Sequence, residues 1–246
     1  MSRPAPRLFT VLEKTLITPH MLRVTLGGEG MATFPDDQAG TYIKLMFTRD
    51  DGTPFMRTYT VRAQRPDAID VDFVLHEDGG PASQWAESVE PGDTLEIGGP
   101  GPRKRVDTEA DWCLLAGDMT ALPAISDNLE HLPPSARGHA VIEVISEADI
   151  QSLIAPEGIE LHWVVNEHPG ENSDVLIDAV RALGWQGGRP SVWAACELSS
   201  MRKLRHYFKA EREVAKSDLY ASSYWKLGMN EERHRTAKQQ DAEHSG

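Results

Sequence analysis

The period of the hydrophobic pattern changes near Val106, and that change confines the chain to two folding units of different class. Before Val106, apolar residues alternate over short runs. Leu22, Val24 and Leu26 alternate with Arg23 and Thr25, and Ile69, Val71, Phe73 and Leu75 alternate with Asp70, Asp72 and Val74. A period of two marks a strand with one buried face. Further strands are expected over 7–14, 42–48 and 94–97, with breaks at Gly27-Gly28-Glu29-Gly30, Arg49-Asp50-Asp51-Gly52 and Pro91-Gly92-Asp93. Short strands, close turns and one helix predict an antiparallel six-stranded β-barrel over residues 1–106.

After Val106 the strands read differently. Trp112-Cys113-Leu114-Leu115-Ala116 is a continuous apolar run, as expected of a strand covered on both faces. Strands over 140–145, 161–165 and 191–195 are separated by helices over 120–131, 174–183 and 199–213. This alternation predicts a doubly wound parallel α/β domain over residues 107–229. The remaining 230–246 are polar and lack aromatic residues, which predicts a fraying tail or a solvated helix.

Two stretches carry binding chemistry. In Arg57-Thr58-Tyr59-Thr60-Val61-Arg62, an extended chain puts Arg57, Tyr59 and Val61 on one face and Thr58, Thr60 and Arg62 on the other. A guanidinium grips phosphate through two parallel hydrogen bonds, and an aromatic plane receives a flat ring. Together they meet the demands of a flavin nucleotide, although an Arg and a Tyr on a strand also make ordinary cross-strand pairs. The run from Val74, Leu75 and His76 to Gly79-Gly80-Pro81-Ala82-Ser83-Gln84-Trp85-Ala86 reads as strand, turn and helix start. Gly79 and Gly80 let a ligand approach the backbone, and Pro81 suits a first helical turn. The N–H groups of Ala82 and Ser83 and the Ser83 hydroxyl would face a pyrophosphate; a plain capped helix explains the same residues.

These blocks, with Gly98-Gly99-Pro100, the run 116–125 and Tyr224-Trp225-Lys226-x-Gly228, stand in an order that resembles the siderophore-interacting protein family. That family comprises flavin-dependent ferric-siderophore reductases related to ferredoxin reductases. The likeness runs from about Arg7 to Gly228. It implies an FAD-binding first domain and an NAD(P)H-binding second domain. It implies FAD contacts from Arg57, Thr58, Tyr59, Thr60, Val74, Leu75, His76, Gly80, Pro81, Ala82, Ser83 and Trp85, and from Asp118, Thr120 and Ala121. It also implies NADPH or NADH as electron donor, with ferredoxin as an alternative, and a ferric siderophore as substrate. Such substrates hold iron through hard anionic oxygens that bind Fe(III) far better than Fe(II), so one electron loosens the metal. A nicotinamide delivers two electrons; a flavin accepts two and passes them on singly. A ferredoxin-fed or general flavin reductase, or a non-catalytic siderophore carrier, remains the alternative.

Other residues fill in this reading. Gly117-Asp118-Met119-Thr120 ends a strand, where ligands of open parallel sheets bind, and Thr120 could instead cap the following helix. There is no Gly-x-Gly-x-x-Gly sequence. Met119 and Cys196 depart from the glutamate and glycine usual in the family, and both bear on how a nicotinamide would sit. Glu197, Arg202 and Arg205 are nicotinamide-nucleotide candidates, the two arginines as partners of an adenosine 2′-phosphate. Lys44, Arg103 and Lys226 are cations for the anionic chelate. The nine histidines show no metal-ligand spacing along the chain. Cys113 and Cys196 read as buried free thiols. A net charge of −13 argues against nucleic acid. No run is long and apolar enough to span a membrane, and Met-Ser-Arg-Pro-Ala-Pro lacks a signal core. A cytoplasmic monomer is the expectation.

Overall fold

A computed structural model describes residues 5–49, 52–76 and 79–228 of the 246. The expected tail at 230–246 lies outside the described residues, as do Glu77 and Asp78. The chain forms two compact units that divide after Lys104.

The first unit contains β1 (Arg7–Thr18), β2 (Met21–Gly27), β3 (Tyr42–Thr48), β4 (Pro54–Thr60), β5 (Ala63–Arg65), β6 (Ala68–Val74), α1 (Pro81–Ser88) and β7 (Thr94–Gly98). Its sheet has seven strands in the order β4-β3-β7-β1-β2-β6-β5, all antiparallel. The expectation of six strands is therefore corrected. The extra one, β5, is three residues long and carries no apolar alternation by which it could be read.

Among the described residues no ladder joins β4 to β5. The end of β4 and the start of β5 are nevertheless near each other, because only Val61 and Arg62 separate Thr60 from Ala63, three steps of at most about 10 Å in all. Val61 N–H donates to Thr41 O beside β3 at 2.9 Å, and Arg62 N–H donates to Asp70 O on β6 at 2.8 Å. Alternation then sorts the side chains. Val24, Leu26, Ile43, Leu45, Val71 and Phe73 fill the core. On the other face of β6, Asp72 meets Arg23 at 2.7 and 2.8 Å and Asp70 meets Arg65 at 2.7 and 2.8 Å. Each is a two-pronged pair, so this part of the acidic charge is compensated.

The second unit contains β8 (Trp112–Gly117), α2 (Leu122–Glu130), β9 (Arg137–Val144), β10 (Gly158–Val165), α3 (Val175–Ala182), β11 (Pro190–Glu197), α4 (Leu198–His206) and β12 (Leu219–Trp225). Its sheet is wholly parallel, in the order β10-β9-β8-β11-β12. The chain winds outward from β8 through β9 to β10, then returns to the other side of β8 for β11 and β12. This is a doubly wound sheet whose order reverses between β8 and β11.

Helices α3 and α4 cover the face formed by Leu114, Ala116, Val141, Val192 and Ala194. Helix α2 lies on the opposite face: a Cβ added to Gly117 would come within 2.7 Å of Ala121 Cβ and 3.0 Å of Ile125 Cδ1. That close approach requires glycine at the end of β8. The expected helix over 199–213 is shorter as an α-helix. It ends at His206 and continues as one wider turn over Tyr207–Glu211. Among the described residues no helix is long and apolar enough to cross a membrane.

Candidate functional site

In the first unit, strand β4 carries Arg57-x-Tyr59 on the face that bears Phe55 and Val61, as alternation requires. Both motif side chains are half-buried. Their setting is a circuit of aromatic contacts. The Arg57 guanidinium lies 4.9 Å from the Phe55 ring centroid. Phe55 stacks on Phe47 of β3 at 5.2 Å, and Phe47 meets Trp85 of α1 edge-on at 5.5 Å. Trp85 meets Phe73 of β6 at 5.7 Å, and Phe73 meets Tyr59 at 4.4 Å. The circuit begins and ends on β4, two residues apart. Through Trp85 it packs α1 against the Arg-x-Tyr face, joining two stretches that are separate in sequence.

Gly80 precedes α1 in an extended conformation, and among the described residues a Cβ built on it would meet nothing within 4 Å. Pro81 opens the helix, and the N–H groups of Ala82 and Ser83 have no acceptor within it. The Ser83 hydroxyl donates to Val74 O at 3.1 Å, which ties the helix start to the end of β6. Gly79 N–H donates to His76 O at 2.8 Å, and Leu75 N–H to His20 O at 3.0 Å. His76 is exposed; Val74 and Leu75 are half-buried.

The other face of β4 is polar. Thr60 is buried and lies opposite Tyr42 in the ladder; Thr58 is exposed and lies opposite Lys44. Lys44 donates to the Thr58 hydroxyl and sits 5.7 Å from the Tyr42 ring centroid. Arg103, expected as a substrate cation, also holds the neighbouring backbone. Its guanidinium donates to Ala39 O at 2.7 Å and to the Asp37 carbonyl, and meets Asp37 Oδ1 at 3.3 Å.

In the second unit every strand delivers a polar residue at its carboxyl end: Asp118 after β8, Glu143 in β9, Asn166 after β10, Glu197 in β11 and Trp225 in β12. Asp118 is the hub. One carboxylate oxygen accepts from Thr120 N–H at 2.9 Å and from the Thr120 hydroxyl at 2.5 Å. The other accepts from Glu197 N–H at 2.9 Å and Trp225 Nε1–H at 2.8 Å. Burial pushes the Asp118 carboxyl above the ordinary carboxylate range, and the four donors work against that rise.

Thr120 therefore serves Asp118 and is not the cap of α2, which begins at Leu122 after Ala121. Ala121 itself is fully buried. Glu197 caps α4, accepting from Ser199 N–H and, at 3.3 Å, from Ser200 N–H. Met119 and Cys196 both face the interior. Cys113 and Cys196 are buried and free, and burial raises both thiols, Cys113 to about 11.

Glu143 is the residue that sequence reading misses. Burial, then the charges of Asp118 and Glu197, raise its carboxyl to about 7, against a hydrogen bond to Asn166. Among the described residues its Oε2 has no hydrogen-bond partner. A single charged residue inside the apolar run Val141-Ile142-Glu143-Val144 was the available signal.

The nicotinamide-nucleotide arginines separate. Arg202 lines a shallow depression with Asp174, Arg181, Lys203 and His206. Arg205 is outside it, 3.5 Å from Ala221 O. Lys203 pairs with Asp174 at 2.5 Å, and Arg181 with Glu211 at 2.5 Å. Lys226 follows β12 and is half-buried.

Comparison with known proteins places this geometry. Residues 10–54 and 48–104 match the family model described as the siderophore-interacting FAD-binding domain, and residues 110–228 match that described as siderophore-interacting protein. The chain is 34% identical to the ferric vibriobactin reductase of Vibrio cholerae serotype O1, over 94% of this chain and 93% of that one. The crystal structure of the siderophore-interacting protein SipS from Aeromonas hydrophila is similar with a TM-score of 0.87 at 34% identity, covering 97% of this chain and 98% of that one. The ferredoxin-NADP+ reductase of Plasmodium falciparum shares the fold, with a TM-score of 0.62 at 14% identity over 89% of this chain and 96% of that one.

Proposed function

Because the chain belongs to the siderophore-interacting protein family, we propose that it is an FAD-dependent ferric-siderophore reductase drawing electrons from NADPH. The aromatic circuit carries this reading, because it brings the Arg57–Tyr59 face and the α1 turn to one place. These residues fit a flavin nucleotide. Among the described residues the space beside Gly80 is open, two first-turn N–H groups lack helical acceptors, and a half-buried Tyr59 ring stands on the same face as a guanidinium.

In this reading Arg57 binds a phosphate through its fork, and the N–H groups of Ala82 and Ser83 bind the pyrophosphate. Tyr59 packs against the ring system, and Thr60 hydrogen-bonds to its polar edge. Trp85 acts by packing, holding the turn to the sheet. A bound flavin supplies the conversion from two-electron to one-electron transfer, and one electron weakens the hold of anionic oxygens on iron. Lys44 and Lys226 attract the anionic chelate.

The second unit would bind the nucleotide at the carboxyl edge of its sheet, where the strand order reverses. Three carboxyl groups there suit the cationic ring of an oxidised nicotinamide better than a phosphate. Arg202, in a depression with two other cations, suits the 2′-phosphate that distinguishes NADPH from NADH. Release of iron as Fe(II) for assimilation would follow.

The test is anaerobic. The FAD-loaded protein should bleach with NADPH, and more slowly with NADH. It should reoxidise on adding a ferric siderophore, with Fe(II) appearing in a ferrous trap. Bleaching without trapped Fe(II) would leave a general flavin reductase, and no bleaching with either nucleotide would remove the nicotinamide donor. Arg57→Ala should lower FAD retention on gel filtration about 10- to 100-fold, the worth of a charged hydrogen bond; full retention would remove that assignment.

A further inference from the structure

At the amino-terminal half of the parallel sheet, away from the polar groups at its carboxyl ends, two histidines and a glutamate converge. Strand β10 is the sheet edge and pairs in parallel with β9, Glu160 opposite His139. Glu160 and His162 are two residues apart on β10 and so share a face, and the register puts His139 on that face too.

The three ligand atoms form a nearly equilateral triangle. His139 Nδ1 is 3.2 Å from His162 Nε2, His139 Nδ1 is 3.5 Å from Glu160 Oε2, and His162 Nε2 is 3.6 Å from Glu160 Oε2. The centre of such a triangle lies about 2.0 Å from each corner, which is a zinc–nitrogen or zinc–oxygen bond length. With bonds of that length, neighbouring ligands are about 3.3 Å apart in a tetrahedron and about 2.9 Å apart in an octahedron. The observed sides match the tetrahedron. A hydrogen bond between the two imidazoles accounts for the shortest side, and it leaves the carboxylate's near-equal distance from both unexplained.

The surroundings complete the set. His139 is buried, while the side chains of His162 and Glu160 are 32% and 70% exposed, so ions can enter from one side. On the far side of the His139 ring, the Gln186 amide lies 3.1 Å from Nε2. With that amide turned over, its oxygen accepts from Nε2–H and leaves the Nδ1 lone pair facing the triangle. A ligating histidine is commonly held in this way by an outer hydrogen bond.

We infer that His139, Glu160 and His162 form a binding site for a divalent transition metal of zinc type, with three protein ligands and an open fourth position. Spacing along the chain does not show it, because His139 reaches the other two only through the β9–β10 pairing. Nitrogen and carboxylate ligands favour Zn2+ over Co2+ and Fe2+. A bound ion would also cross-link the edge strand to its neighbour and raise the melting temperature with metal concentration. The site would fill whether or not flavin is bound.

The test uses the full chain, stripped with a chelator. Co2+ should bind in one equivalent with the strong visible bands of a tetrahedral site, and Zn2+ should displace it. In competition with a chromophoric chelator, His162→Ala and Glu160→Gln should each weaken Zn2+ at least about 100-fold, and Gln186→Leu about 10- to 100-fold, as expected of an outer partner. Both ligand changes are on the exposed edge strand, so metal-free melting should match the unaltered protein. Tight binding retained by either ligand variant, or no stoichiometric binding by the unaltered protein, overturns the site.

Discussion

The α1 turn of the first unit and the carboxyl edge of the second are both built from motif residues, yet they are finished differently. At the turn, Trp85 and Ser83 fix the helix by their side chains, and the N–H groups of the buried residues Ala82 and Ser83 lack helical acceptors. At the carboxyl edge most polar groups satisfy one another, the Glu143 Oε2 excepted among the described residues. Asp118 receives four hydrogen bonds, Glu197 caps α4, and the Met119 and Cys196 side chains are buried. Backbone donors without helical acceptors gain hydrogen bonds from a bound ligand, whereas groups already paired among themselves gain less. A retained FAD and a transient nucleotide would divide between the two in that way.

The largest effect that would break this contrast is at the hub of the second unit. Asp118→Ala leaves the Trp225, Glu197 and Thr120 donors without their buried acceptor. It should cost about 3–5 kcal/mol of that unit's stability, the range for removing one partner of a buried charged network. Denaturant unfolding followed through tryptophan fluorescence would measure it, and a loss under about 1 kcal/mol would show that the carboxyl edge is not held by Asp118.

Next is the titration of Glu143. Its carboxyl holds a proton more tightly in the folded chain than in the unfolded one, so its contribution is most favourable below about 4.5 and declines as pH rises through about 7. The rise from 4.5 to about 7 corresponds to about 3 kcal/mol. Glu143→Gln should therefore flatten the fall in stability across that window; an unchanged pH profile of the melting temperature would contradict the shift.

A smaller effect sharpens the other side of the comparison. Trp85→Leu keeps Arg57, Tyr59, Thr60 and the first-turn N–H groups of α1 but opens the circuit between α1 and β6. It should destabilise the first unit by about 1–3 kcal/mol and lower flavin content in proportion. Normal flavin content would show that the turn is positioned without the circuit. The smallest effect is at the rim of the second unit. Arg202→Ala should raise the KM for NADPH about 5-fold and leave that for NADH alone, a rim charge being worth about 1 kcal/mol; equal changes for both would detach Arg202 from the 2′-phosphate.

Much of this was legible in the chain. Alternation over Ile69–Phe73 placed the β6 core face, and the same rule put Arg57 and Tyr59 together. The apolar run at Trp112 announced a strand buried on both faces. Other parts were not legible. Strand β12 reads as Leu219-Tyr220-Ala221-Ser222-Ser223-Tyr224-Trp225, with neither a continuous apolar run nor clean alternation, and is a strand because β11 pairs with it. Thr120 carried the residue type of a cap, but the buried Asp118 carboxylate claims its hydroxyl. Arg103 carried the charge of a substrate contact, and its bonds to the Asp37 and Ala39 carbonyls come only from the fold.

By itself, then, the sequence determined the class of each unit, the strands with strong periodicity, the facing of the Arg-x-Tyr motif and the family resemblance. Each of these depends on residues close together in the chain, where side-chain direction follows from backbone period. Only the tertiary structure decided the order β10-β9-β8-β11-β12, the aromatic circuit, the partners of Asp118 and the His139–Glu160–His162 triangle. Asp118 meets groups 79 and 107 residues away. Local period assigns a residue to a face, whereas order and register, set by packing between distant segments, decide what that face meets.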